Sequence, residues 1–286
     1  MSDKKNLVTK EYILPNGILH AGEVLREVEL ARFDGDHEDL IHDKKNLREG
    51  NALEKLIKSC VVRIGDITDP ETLSKVYDKA LIMPDQNFIL IKLRMFGIGK
   101  MYEFVAECPR CEREDAHTID LNTLVLDEQP EECRGKTEFS AVIEPEDEDV
   151  FQITFRHLYA GDGKMLSIIK KDYGKERVTR ELALQLKTIN GKHAGDPRIV
   201  KALSWKARNA IRATMDATVG GLNTELIMEC KNCDGREFRA TMPIELRSFF
   251  YPKGRSKETP RQAKPFLGFG GTKLSLETDT DGNQAK

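Results

Sequence analysis

Residues 81–111, LIMPDQNFILIKLRMFGIGKMYEFVAECPRC, lie without a gap over residues 203–233, LSWKARNAIRATMDATVGGLNTELIMECKNC. Eight of the 31 positions agree, among them Asn87/Asn209, Ile89/Ile211, Gly99/Gly221, Glu103/Glu225, Glu107/Glu229 and both cysteine pairs. Average amino-acid usage would give about two agreements by chance. Fainter likeness continues upstream with small shifts. Leu30–Asp36 resembles Phe155–Asp162, each ending in Gly-Asp, and Val62–Asp66 resembles Thr188–Lys192. The chain therefore reads as an internal duplication.

Working outward, each half follows the same coarse plan. A strand comes first, over Val24–Phe33 or Val150–Leu158, the former introduced by the turn signal Leu14-Pro15-Asn16-Gly17. Helical spacing follows in Asn51–Ile64, at Leu53, Leu56, Ile57, Cys60, Val61 and Ile64, and again in Val178–Ile189. Phe88–Phe96 is apolar almost throughout and is ambiguous alone. Its partner Ala207–Val219 sets Ala207, Ala210, Ile211 and Met215 between charged residues, so both are expected to be helices. A strand, a Cys-x-x-Cys turn and a return strand close each half, over Met101–Leu121 and Leu222–Pro243.

The cysteine pairs carry the chemistry. The start of the chain is polar, without the apolar core of a signal peptide, and no apolar run suggests a membrane span. A cytoplasmic location is expected, and in a reducing compartment Cys-x-x-Cys pairs bind metal or do redox work more often than they form disulfides. A redox pair needs a helix N-terminus to lower its thiol pKa. Both pairs here follow strand patterns instead. A hairpin tip aims two sulfurs to one side, and two tips complete a tetrahedral zinc shell. The expected ligands of one structural zinc ion per chain are Cys108, Cys111, Cys230 and Cys233. Cys60, in an apolar run, and Cys133, in an acidic stretch, are given no function.

The fold class expected is α+β: two related α+β halves (an internal duplication) joined by a four-cysteine zinc ribbon made from two hairpin knuckles. The first repeat covers 10–126 and the second 150–252. Residues 127–149, with ten acidic and two basic side chains, read as an acidic linker or loop. Residues 253–286 turn to Gly, Ser, Thr, Pro and Lys and are expected to be disordered alone; they contain the apolar cluster Phe266-Leu267-Gly268-Phe269, which a partner could capture.

No enzyme is expected. His37 and His42 flank Glu38 but stand five residues apart, roughly 140° around a helix, so they cannot share one face. Gly268–Lys273 follows no strand and makes no phosphate loop. His20, His117, His157 and His193 have no serine or cysteine at catalytic spacing.

The order and duplication of these features resemble a family. Gly35-Asp36, Tyr102-Glu103-Phe104, the two knuckles and Phe249-Phe250-Tyr251-Pro252 look like tailed-phage tail proteins, closest to the T-even-type baseplate hub assembly chaperones. The likeness spans roughly residues 10–252. It implies a non-enzymatic tail assembly protein that binds phage baseplate or hub proteins, in the host cytoplasm or in the virion baseplate. Two alternatives stand beside it: a permanent structural component of the baseplate, and a nucleic-acid-binding zinc-ribbon regulator. The second sits poorly with residues 101–121, where only Arg110 and Arg113 are cations against Glu103, Glu107, Glu112, Glu114, Asp115 and Asp120. Neither nucleic acid nor membrane is expected as a partner, and the oligomeric state is not legible.

Overall fold

The computed structural model describes residues 7–244, 249–250 and 260–266. The chain opens with a hairpin of β1 (Thr9–His20) and β2 (Glu23–Ala31). Its two-residue turn is Ala21-Gly22, both with positive φ, as hairpins favour. The Pro15-Asn16-Gly17 signal is not that turn. It forms a bulge within β1, where the register jumps between Ile13↔Glu27 and Ile18↔Leu25. Gly17 is required there: at φ +85° a Cβ would stand 2.7 Å from the Arg26 side chain. The Arg26 Nε donates to the Leu14 carbonyl at 2.9 Å and helps hold the bulge.

Three helices follow: α1 (Gly35–His42), α2 (Lys44–Glu49) and α3 (Ala52–Cys60). Next come β3 (Val61–Ile64), α4 (Pro70–Lys79) and α5 (Met83–Gly97), then the hairpin β4 (Met101–Glu107) and β5 (Glu114–Asp120). The helix expected over Asn51–Ile64 therefore stops at Cys60. Beyond it the β-branched Val61, Val62 and Ile64 turn to pair with the free edge of β2. An apolar run alone cannot reveal such a change of period.

The second half begins inside the stretch read as a linker. After β6 (Leu126–Asp127), β7 (Phe139–Ile143) lies within 127–149 and buries Phe139 and Ile143. The acid-rich part, 146–149, is an exposed connection to β8 (Phe151–Phe155). Then come α6 (Gly163–Asp172), α7 (Arg177–Gln185), β9 (Leu186–Ile189), β10 (Lys192–His193), α8 (Pro197–Ala202) and α9 (Trp205–Asp216). Again the expected helix, Val178–Ile189, ends early and its last residues become a strand. β11 (Gly221–Leu222) pairs with β6, and β12 (Glu225–Glu229) with β13 (Glu237–Thr241) forms the second hairpin.

The sheets of the two halves match in detail. Strands β1-β2-β3 stand in the order of β7-β8-β9, all antiparallel. The pairs Val28↔Ile64, Glu29↔Arg63 and Leu30↔Val61 have counterparts in Ile153↔Ile189, Thr154↔Thr188 and Phe155↔Leu186, each residue 125 positions further on. The register irregularity falls at the same step in both. Helices α4 and α8 also start alike, each with an Asp N-cap, Asp69 or Asp196, before a proline.

Two apolar cores result. The larger joins β1–β3 and α3–α5 to both hairpins, with Phe249 and Phe250. The smaller lies among β7–β9 and α7–α9. Two short strands complete the described chain: β14 (Arg261–Gln262), parallel to β5, and β15 (Lys264–Pro265), antiparallel to β12. They fall in the segment expected to be disordered; residues 253–259 and 267–286 lie outside the described residues. Among the described residues no helix is long and apolar enough to cross a membrane.

Candidate metal centre

Each cysteine pair sits on the loop closing a regular hairpin. In the first, the Cys108 amide donates to Arg113 O at 3.0 Å and the Glu112 amide to Cys108 O at 2.9 Å. In the second, the Cys230 amide donates to Arg236 O at 3.1 Å and the Gly235 amide to Cys230 O at 3.0 Å. The residue after the second cysteine takes positive φ in both, Glu112 at 57° and Asp234 at 52°, which turns the chain back. The second loop is longer: Glu229↔Glu237 closes it, against Glu107↔Glu114 in the first. Gly235, at φ 74°, takes up that extra residue.

The two loops meet. The Sγ atoms of Cys108, Cys111, Cys230 and Cys233 all lie within 4.8 Å of one another. Cys108 and Cys230 are buried, and Cys111 and Cys233 are half-buried. Two polar contacts fix the loops to each other. Arg113 Nη1 donates to Asn232 Oδ1 at 3.1 Å, and the Lys231 amide donates to Asp115 Oδ2 at 3.1 Å. All six cysteines are free thiols. The Cys111 and Cys230 sulfurs are 3.6 Å apart, far from the roughly 2.05 Å of a disulfide.

The thiols divide in acidity. The backbone amide of Arg110, then that of Cys111, hold the Cys108 thiol down at about 7. The neighbouring Cys111 and Cys230 sulfurs, with burial, push the Cys233 thiol up to about 12. Burial raises the Cys230 thiol as well. Sulfurs this close resist ionising together unless a cation shares their charge. The arrangement is compatible with a metal site of four sulfur ligands.

The other sequence candidates go elsewhere. Cys60 is fully buried, with its thiol pushed up to about 12 by burial, and Cys133 is buried in the smaller core. His37 sits in the first turn of α1 with its Nδ1 2.7 Å from Asp34 Oδ1, while His42 Nδ1 lies 3.1 Å from Glu38 O. His157 meets Thr218 Oγ1 at 3.0 Å. Gly268–Lys273 lies outside the described residues, as do Leu267–Phe269 of the apolar cluster. Sequence reasoning missed the contact pairs Arg113–Asn232 and Lys231–Asp115. It also missed the crossing of 261–265 over both hairpins. No periodicity marks side chains that meet across a fold, or a strand of two residues.

Residues 33–180 match the family model described as T4 bacteriophage base plate protein. The chain belongs to this family. The match starts just before α1 and ends within α7, so it includes the first knuckle and stops short of the second. No curated protein and no solved structure matches the chain. Membership ties the protein to the phage baseplate, in a structural or assembly role among baseplate proteins.

Proposed function

We propose that the protein is a non-enzymatic assembly chaperone of the phage baseplate hub, acting through protein–protein contacts. In this reading two duplicated halves are tied together by one structural zinc ion on Cys108, Cys111, Cys230 and Cys233. The observation that carries it is the meeting of four sulfurs from hairpins so distant in sequence, with Cys111 and Cys230 separated by 119 positions.

Zinc fits the spacing. Bonds of about 2.3 Å to four thiolates imply sulfurs about 3.8 Å apart along each tetrahedral edge, close to the 3.6 Å between Cys111 and Cys230. Four thiolates fill the shell and leave no position for a reacting water, which favours a structural ion over a catalytic one. Among the described residues this is also the single gathering of three or more His, Cys, Asp or Glu side chains close enough to hold a metal. The matched strand registers and capped prolines of the two halves support the duplication. The first hairpin exposes Glu103, Glu107, Glu112 and Glu114, a poor surface for a phosphate backbone, so a protein partner is favoured over nucleic acid there.

Deleting the gene tests the role. Electron microscopy of the infection should find intact heads and tails blocked at the baseplate hub, and normal infectious tails would overturn the assembly reading. In purified virions the protein should be nearly absent by mass spectrometry. A fixed copy number per tail would make it a permanent baseplate part.

A further inference from the structure

Residues 260–266, Pro-Arg-Gln-Ala-Lys-Pro-Phe, cross from one hairpin to the other. Arg261 and Gln262 run parallel to β5 at His117 and Thr118, and the Ala263 amide donates to Thr118 O at 2.8 Å. Lys264 and Pro265 then pair antiparallel with Ile227 and Leu226 of β12, and the Phe266 amide donates to Glu225 O at 3.0 Å. The crossing point is Ala263, 2% exposed and packed into the larger core.

Side chains read this segment at every second or third position. Arg261 faces Glu229 at 3.6 Å. The Arg239 guanidinium lies 3.9 Å from the centre of the Phe266 ring, and Asn223 Nδ2 donates to Phe266 O at 3.2 Å. Pro265 lacks an amide, which an outer strand tolerates. The charges are complementary. The first hairpin is strongly acidic, whereas residues 260–266 carry Arg261 and Lys264 and no acidic side chain. Main-chain pairing for affinity, with pockets at alternate positions for specificity, is how sheet edges recognise extended peptides.

We propose that the seam between β5 and β12 is a recognition site for an extended basic peptide of the pattern Arg-x-small-x-Pro-aromatic, which residues 260–266 fill in cis and a partner's segment of that chemistry takes over. The site deepens the assembly reading and rests on it only for the partner being another baseplate protein. The seam's peptide chemistry stands or falls by itself. The pattern takes a small residue at the crossing because Ala263 is 2% exposed there and sits in the larger core. Residues 260–266 thus form a strap, each half of which covers one hairpin.

The test uses the full chain and a fluorescent Pro-Arg-Gln-Ala-Lys-Pro-Phe peptide. In the wild type, the amides of Ala263 and Phe266 should exchange with solvent at least about tenfold slower than in the free peptide. Excess unlabelled peptide should speed that exchange by displacing the strap. In full-length Ala263→Glu the strap cannot seat, so the labelled peptide should bind that variant and bind the wild type at least about tenfold more weakly. A peptide with Glu at its centre should bind neither. Binding should weaken as salt is raised. Unprotected Ala263 and Phe266 amides in the wild type would overturn the proposal. So would failure of the peptide to speed their exchange, a readout that does not depend on how well the variant folds. A strap-dependent dimer, dissociated by Ala263→Glu, would assign the seam to a second copy of the chain and overturn the partner reading. Loss of peptide binding refutes the seam without touching the baseplate role, whereas normal tails after gene deletion would refute that role and leave the seam.

Discussion

Ile89 and Ile211 occupy the same place in the two aligned stretches, and both side chains are fully buried. Their helices nonetheless live in different surroundings. Helix α5 is enclosed on nearly every side and buries Phe88, Ile89, Leu90, Ile91, Leu93 and Arg94. Helix α9 buries only Ala207, Ile211, Thr214 and Met215, and its first residue, Trp205, is exposed. The reason lies in what each helix supports. The first helix packs against β1 of its own sheet, and both knuckle hairpins join its core; the second lines only its own small core. Two stretches that align in sequence thus form a centre and a flank. The difference was already visible in composition, because Phe88–Phe96 is apolar almost throughout where α9 alternates with charge.

The largest effect should come from breaking the join. Cys230→Ser should lower bound zinc from about one ion per chain to near none, read by elemental analysis. Amide exchange should then rise across β4, β5, β12 and β13 while β8 and β9 keep their protection. Equal loosening of both cores would refute the division into centre and flank. Undiminished zinc would refute the ligand set.

Paired truncations come next. Ile89→Ala should cost about 4 kcal/mol, near the upper end for such a change, since enclosed surroundings cannot collapse into the space. Ile211→Ala should cost about 2.5 kcal/mol, because α9 is free to settle inward. Urea unfolding of the two variants measures the gap, and equal costs would mean that the halves bear load alike.

A pH experiment separates the halves again. Asp85 accepts from the Asn16 amide and side chain and from the Gly17 amide, and Asn16 in turn bonds Gly220 on the other half. Burial raises its carboxyl to about 6 despite those donors. Its folded pKa exceeds the ordinary 3.8, so its stabilisation is full below that value and is lost as pH rises through about 6. The loss should be roughly 2–3 kcal/mol, seen as the difference between wild type and Asp85→Asn in urea unfolding at pH 4 and pH 7. The aligned residue of α9 is the uncharged Ala207, so the second half should contribute nothing to that difference. A pH-independent difference would mean that Asp85 ionises as it would in water.

The smallest contrast concerns two Gly-Asp steps. A Cβ on Gly161 would stand 2.3 Å from Asp78 O, whereas one on Gly35 would meet nothing within 4 Å. Gly161→Ala should lower stability by about 1–3 kcal/mol and Gly35→Ala should change it by less than about 0.5 kcal/mol, by thermal melting. Similar shifts would show that Gly161 is not pressed against α4.

What the sequence disclosed follows a physical boundary. The helices α5 and α9 were legible because two aligned stretches were read together, the charged spacing of one resolving the ambiguity of the other. The knuckles were legible because hairpin alternation and cysteine spacing are local. Strands β3 and β9 read as helix in both halves, since the pairing that makes them strands comes from the distant edges of β2 and β8. The same blindness hid β7 within an acidic stretch, where Phe139 and Ile143 were outweighed by their neighbours. Composition likewise judged residues 260–266 by what they could bury alone, and Ala263 buries itself only because two hairpins stand ready on either side.

The distance between the two cysteine pairs also sets a timetable. Cys111 and Cys230 are 119 positions apart, so at about 5–20 residues per second the ribosome delivers the second pair roughly 6–24 s after the first. Through that interval the nascent first half holds two thiols and the open edge of β5 with nothing to meet them. A chain interrupted before residue 233 has no second knuckle to offer. A product that ends before residue 233 therefore leaves Cys108 and Cys111 at a hairpin tip without the full set of sulfurs they meet in the folded chain.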